Sequence, residues 1–242
     1  MRNGVEGLLE ERLVDLGALF DTDEKLRRLE HPPAAALGSC RKKLPRHGDD
    51  PAVYEKLLAI FRKYDIRYFF YIGGNDSMDT CNKISRYMSS VGYECRVIGV
   101  PKTIDNDIYG TDVTFGFQTA VEAAVDCIDR ITTTAASHGR TMLVELMGNK
   151  AGWLALHAGL AAGAHMILLP EIPFDPDRVC EFVRRRTERG AGYTLIAVAE
   201  GAQLKSEAAV RKKERTFIRA ERGETTVTAH LAERIHERTG AE

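Results

Sequence analysis

The sequence predicts an α/β protein of two lobes, each a three-layer α/β/α arrangement around a largely parallel sheet. Three observations predict it. Short apolar runs at 68–72, 96–100, 141–146, 166–170 and 194–199 alternate with longer stretches of helical periodicity, the order that crossover connections between parallel strands require. Two of those runs end directly in turns, Gly73-Gly74-Asn75-Asp76-Ser77-Met78-Asp79 and Pro101-Lys102-Thr103-Ile104-Asp105-Asn106-Asp107, and strand ends are where open α/β sheets place ligands. The length, 242 residues with 44% hydrophobic content, suffices for two small cores, and the lobes are drawn at 1–116 and 117–242.

Along the chain, 1–36 carries leucines at helical spacing among charges and ends in Pro32-Pro33, which predicts a helix and a loop with no opening strand. Residues 37–43 join a small-residue turn to three cations, a solvated loop on composition alone. Residues 51–64 predict an amphipathic helix with Pro51 in its first turn and Val53, Leu57, Ile60 and Phe61 on one face. In the first turn the two glycines allow close backbone approach to an anion, and Ser77 is placed to cap a helix over 78–91 whose free N–H groups attract phosphate. In the second, two carboxylates two residues apart accompany a lysine and a threonine. Together the turns suggest a phosphoryl group bound at one and a hydroxyl deprotonated at the other.

From Gly116 onward, Phe117, Val121, Ala124, Ile128 and Ile131 recur at steps of four and three, a long helix with one buried face. A buried strand over 141–146 leads to a turn at Met147-Gly148 and a helix over 151–163, in which His157 is read as core packing and Trp153 as core or turn packing. Asp175-Pro176 opens a helix with Val179, Phe182 and Val183 inward, and its Arg184-Arg185-Arg186 run complements the helix dipole. The last strand delivers Glu200 to the sheet edge. The remainder, including 211–215 and 227–238, reads as charged, exposed helices.

Lys and Arg total 34 against 35 Asp and Glu, and a net charge of −1 gives no case for nucleic acid or an anionic membrane as partner. Five cysteines without paired spacing are expected to be reduced thiols. No apolar stretch is long enough to span a bilayer and Met1-Arg2-Asn3-Gly4 does not open a signal peptide, so the expected location is the cytoplasm.

These residues carry a family resemblance. The turn Gly73–Ser77 resembles the Gly-Gly-Asp-(Gly or Asp)-Ser loop of the phosphofructokinases, and Pro101–Asp107 resembles their Pro-(Gly or Lys)-Thr-Ile-Asp-Asn-Asp segment. Met147-Gly148-Asn149 looks like their Met-Gly-Arg turn, and Ser39-Cys40-Arg41, His138-Gly139-Arg140 and the strand ending at Glu200 fall in the family order. The resemblance runs from Gly7 to Gly240. It implies Rossmann-like lobes of the phosphofructokinase fold, incomplete at both ends: the family's opening strand with its Gly-Gly-x-x-Pro-Gly-x-Asn turn and its later His-x-x-Arg segment find no match here.

The resemblance further implies transfer of a phosphoryl group to the 1-hydroxyl of fructose 6-phosphate. Asp105 would be the base, Asp107 a supporting carboxylate, and Thr103 a donor to the transferred group. Arg41, Gly74, Asn75, Asp76, Ser77 and Lys102 would contact the phosphoryl donor, while Thr103, Ile104, Asp105, Met147, Gly148, Asn149 and Glu200 would contact the sugar. Arg140 resembles an arginine that reaches a neighbouring subunit's sugar phosphate, implying a homo-oligomer with shared sites. Mg2+ would be held through the phosphates and Asp107, with Asn75 offering a neutral oxygen. ATP-using members resemble Gly-Gly-Asp-Gly-Ser and Pro-Gly-Thr; Asp76 and Lys102 stand at the glycine positions here, the pattern of pyrophosphate-dependent members. Pyrophosphate is therefore the expected donor, with ATP and a non-catalytic sugar-phosphate-binding subunit as the alternatives. Asn149 in place of the family arginine removes a cation from the sugar site and opens substrate choice, sedoheptulose 7-phosphate included.

Overall fold

Five parallel strands form two separate sheets in the computed structural model of the chain, which describes residues 1–32, 35–207 and 226–242. The chain divides into two units, Met1–Pro101 and Lys102–Glu242. The loop between Lys102 and Gly116, which the sequence boundary at 116 assigned to the first lobe, belongs to the second unit. Among the described residues no helix is long and apolar enough to cross a membrane.

In the first unit, β1 (Tyr68–Gly73) and β2 (Arg96–Pro101) pair in parallel with Gly73 opposite Pro101, so both strands end at one level. Two helices, α4 (Pro51–Lys63) and α5 (Asn75–Ser90), and the short α1 (Gly4–Leu9) supply the core on one side. Asp50 caps α4 through Val53 N–H and Pro51 occupies its first turn, where a missing N–H loses nothing. Leu57, Ile60 and Phe61 are buried as expected, and Tyr54, not counted in that stripe, joins them. Alternation along β1 sends Phe69 and Tyr71 into this core, while Tyr68, Phe70 and Ile72 face outward and are exposed.

Residues 1–32 hold three short helices where one was expected: α1, α2 (Leu16–Leu19) and α3 (Asp23–Arg27). The break follows α1, where Glu11 takes a positive φ of 54° and Arg12 N–H donates back to Gly7. Leu8 and Leu9 are consequently buried, while Leu16 and Leu19 are exposed. No strand occurs among these residues.

The second unit is three-layered. Its sheet runs β3 (Thr141–Leu146), β5 (Thr194–Ala199), β4 (Met166–Leu168), all parallel. The central β5 is buried at every position: Leu195, Ala197 and Ala199 pack with α6 (Phe117–His138) and α7 (Trp153–Ala161), and Ile196 and Val198 with α8 (Pro176–Glu188) and α9 (Val227–Thr239). Strand β3 is only partly buried, with Glu145 exposed, because it lies at the sheet edge. Two expectations fail here. Helix α9 is amphipathic: Val227, Leu231 and Ile235, at steps of four, are buried against β5 and α8. Trp153 and His157 lie on the outer face of α7 and are exposed, with His157 edge-on to Phe117. The cationic run 211–215 lies outside the described residues.

Candidate active site

The first unit presents the turn after β1. Helix α5 begins at Asn75, three residues earlier than the sequence suggested, and its N-cap is Gly74, whose carbonyl accepts from Ser77 and Met78 N–H. Ser77 therefore lies inside the first turn and is not the cap. It still has a local role: a Cβ on Gly73 would stand 2.2 Å from Ser77 Oγ, so glycine is required there by close approach. Asn75 and Asp76 are exposed at the helix start, where the helix dipole favours negative charge.

Arg41 is exposed in the segment that approaches α5. That segment is pinned. Leu44 is buried, its carbonyl accepts from Lys83 Nζ at 2.8 Å, and Pro45 O accepts from Tyr54 Oη at 2.6 Å. Lys43, read from composition as a surface charge, pairs with Asp76 Oδ1 at 2.8 Å.

In the second unit, Lys102 is exposed and its backbone bridges to Phe115, closing the loop that holds Thr103, Ile104, Asp105 and Asp107. Two residues the sequence reading passed over hold this loop in shape. Asn106 takes the left-handed region at φ 53°, which asparagine tolerates better than other side-chain-bearing residues, and its Oδ1 accepts from Thr114 N–H at 2.9 Å. Thr114, 1% exposed, donates through Oγ1 to Thr103 O at 2.6 Å. The signal was present in the sequence: an asparagine between two aspartates is a turn residue, and eight residues on stands a hydroxyl able to meet it.

Asp105 is half-buried. Burial pushes its carboxyl above the usual aspartate range, and the negative charges of Asp107 and Glu200 push it further, against a hydrogen bond with Thr103 that lowers it. A carboxyl so raised is better suited to take a proton than an ordinary surface aspartate.

Parallel pairing of β3 with β5 sets Leu146 opposite Ala199, so the next residues, Met147 and Glu200, leave the sheet side by side. Glu200 N–H donates to Leu146 O at 2.8 Å, and Glu200 Oε1 accepts from Gly148 N–H at 3.2 Å and Asn149 N–H at 2.6 Å. One carboxylate oxygen expected to meet sugar hydroxyls is thus engaged in shaping the turn. Gly148 at φ 144° and Asn149 at φ 52° have conformations that few side chains tolerate, which explains why the turn needs a fixed acceptor. Glu171 Oε1 accepts from Gly152 N–H at the start of α7 in the same way. Met147 is exposed.

Arg140 does not join this group. It precedes β3, whereas Gly148 and Glu200 follow the far ends of β3 and β5, so a six-residue strand of about 20 Å lies between them. There Arg140 approaches Glu242 at 3.8 Å.

Among the described residues no cluster of three or more His, Cys, Asp or Glu could hold a metal. Asp107, the carboxylate expected to hold magnesium, is an oxygen ligand of the kind a hard divalent cation takes alongside water and phosphate oxygens.

The described geometry sets a helix start capped by Gly74 in one unit and, in the other, the raised Asp105 carboxyl two residues from Asp107. The whole chain, residues 1–242, matches the phosphofructokinase family, and the chain belongs to it. It is 39% identical over 240 residues to an ATP-dependent 6-phosphofructokinase of Corynebacterium efficiens, covering 99% of this chain and 65% of that one. It is 38% identical over 241 residues to a pyrophosphate–fructose 6-phosphate 1-phosphotransferase of Halomonas elongata, covering 94% of this chain and 54% of that one. The crystal structure of a pyrophosphate-dependent phosphofructokinase from Nitrosospira multiformis matches all of this chain and 57% of its own with a TM-score of 0.83 at 32% identity. The chain thus spans between about half and two thirds of the length of these relatives.

Proposed function

We propose that the chain carries the phosphoryl-transfer machinery of a 6-phosphofructokinase that phosphorylates the 1-hydroxyl of fructose 6-phosphate with pyrophosphate as donor. The observation that carries it is Asp105: a carboxyl raised by burial and by Asp107 and Glu200, in a loop held at fixed shape by Asn106 and Thr114. Asp105 takes the proton of the attacking hydroxyl. Thr103 and Ile104 line the same loop, and Lys102 at its start balances charge on the departing phosphate. Gly148 and Asn149, in the turn fixed by Glu200, together with Met147, contact the sugar. In the other unit, the start of α5, with Gly74, Asn75 and Ser77, and Arg41 bind the donor's phosphates, and Asp76 shapes the same donor position. Arg140 acts on a neighbouring subunit's sugar phosphate, which makes the working form an oligomer.

Magnesium would be held through Asp107 and the donor's phosphates, where it would neutralise phosphate charge. Asp76 is the residue that favours pyrophosphate, because a carboxylate at the helix start opposes a nucleotide's inner phosphate. ATP as donor is the second reading, supported by the name of the Corynebacterium relative. Initial rates with fructose 6-phosphate and either pyrophosphate or ATP, each with and without Mg2+, test the proposal: faster turnover with pyrophosphate supports it, and turnover with ATP alone rejects the donor assignment.

A further inference from the structure

Lys43 stands outside every role assigned above, yet the fold delivers it to the donor turn. Its neighbours are fixed from two sides: Lys83 of α5 holds Leu44 O at 2.8 Å, Tyr54 of α4 holds Pro45 O at 2.6 Å, and the Leu44 side chain is 2% exposed. From this strap Lys43 Nζ reaches Asp76 Oδ1 at 2.8 Å. Lys83 is itself occupied with Asp79 at 2.6 Å and with Leu44 O, so of the two lysines Lys43 is the one committed to Asp76.

A carboxylate at the start of α5 has two opposed effects. It matches the helix dipole, and it repels the anion that the same N–H groups would otherwise attract. Unpaired, Asp76 would weaken pyrophosphate and nucleotide alike, which is a poor basis for choosing between them. Paired with a lysine it is electrically neutral but still fills space. A small inorganic anion then meets no net repulsion, while a phosphate carrying an ester substituent meets a filled position. We propose that Lys43 is a positioning residue for donor selection: it fixes and neutralises the Asp76 carboxylate, so that the helix start accepts an inorganic polyphosphate and refuses a nucleoside polyphosphate. The inference rests on the donor reading given above and names the residue through which Asp76 works.

Both side chains are 68% exposed, so the pair adds little to folding, and stability and binding effects separate. The experiment is calorimetric titration of the 242-residue chain with pyrophosphate and with ATP at fixed ionic strength, for the parent, Lys43→Met, Lys43→Arg, Asp76→Gly and the Lys43→Met/Asp76→Gly pair, with thermal melting of each. Lys43→Met should weaken pyrophosphate about tenfold, and Lys43→Arg should keep it within about threefold, because a charge-assisted pair survives the exchange. In the Asp76→Gly background the same Lys43→Met change should matter about threefold or less, and no variant should melt more than about 4 °C below the parent. An equal loss in both backgrounds would mean that Lys43 meets the phosphate directly, and no loss would mean that it has no part in binding; either overturns the inference while leaving pyrophosphate as donor. A parent chain that binds ATP more tightly than pyrophosphate, or binds neither, overturns the donor reading itself and this inference with it.

Discussion

Asn106 offers the sharpest probe of how the 102–116 loop presents Asp105. Asn106→Ala forces alanine into the left-handed region at φ 53°, a cost of about 1 kcal/mol, and removes the acceptor of Thr114 N–H. Thr114 is buried, so its abandoned N–H adds about 1–3 kcal/mol, giving a loss of roughly 2–4 kcal/mol. For a chain of this size that corresponds to a fall of about 5–15 °C in the unfolding transition. Asn106→Gly accepts the backbone angle without strain and should lose only the hydrogen-bond part. Asn106→Asp keeps both the angle and the acceptor but places a third carboxylate between Asp105 and Asp107. It should therefore fold nearly as well as the parent while raising the Asp105 carboxyl still higher. Because the base must be deprotonated, the acid limb of the kcat/KM profile should move to higher pH. Thermal melting and pH–rate profiles of the three variants measure both effects. If Asn106→Asp melts as low as Asn106→Ala, the side chain is not acting as an acceptor; if its acid limb stays in place, Asp105 does not govern that limb.

Other perturbations separate the remaining assignments. Glu200→Gln leaves an acceptor for Gly148 and Asn149 N–H but removes a charge that raises Asp105, so the acid limb should shift to lower pH with little change in melting; an unmoved limb would remove Glu200 from the electrostatics of the base. Glu200→Ala, which removes the acceptor as well, should raise KM for fructose 6-phosphate, and unchanged KM would show that the 147–149 turn does not meet the sugar. Asp76→Gly combined with Lys102→Gly should widen donor use to ATP, read as the ratio of kcat/KM for the two donors; a ratio that stays put would refute the steric argument.

The strands were legible because each is an apolar run closed by a turn residue, and the residues at 141–146 and 194–199 fall where the sequence set them. What escaped was the structure decided by contacts distant in sequence. One local feature escaped as well: α5 starts after Gly74, with no side-chain cap, and a residue without a side chain gives no capping signal. The buried face of α9 was hidden by its charges: Val227, Leu231 and Ile235 look sparse until β5 and α8 are present to cover them. For Glu200, position was legible and partner was not, since nothing in the sequence shows that Leu146 and Ala199 share a register and so bring the carboxylate onto the Gly148 and Asn149 amides. Lys43 resembled its neighbours in a cationic run, and only the strap through Leu44 and Pro45 distinguishes it.

The account depends most on Asp105 acting as the base, and the measurement closest to that claim is steady-state kinetics of Asp105→Asn with fructose 6-phosphate and pyrophosphate. The isosteric amide keeps the loop's shape but cannot take a proton. Turnover should fall by about two to four orders of magnitude while KM for the sugar stays within a few-fold of the parent. A variant that retains a tenth or more of the parent's kcat would contradict the assignment.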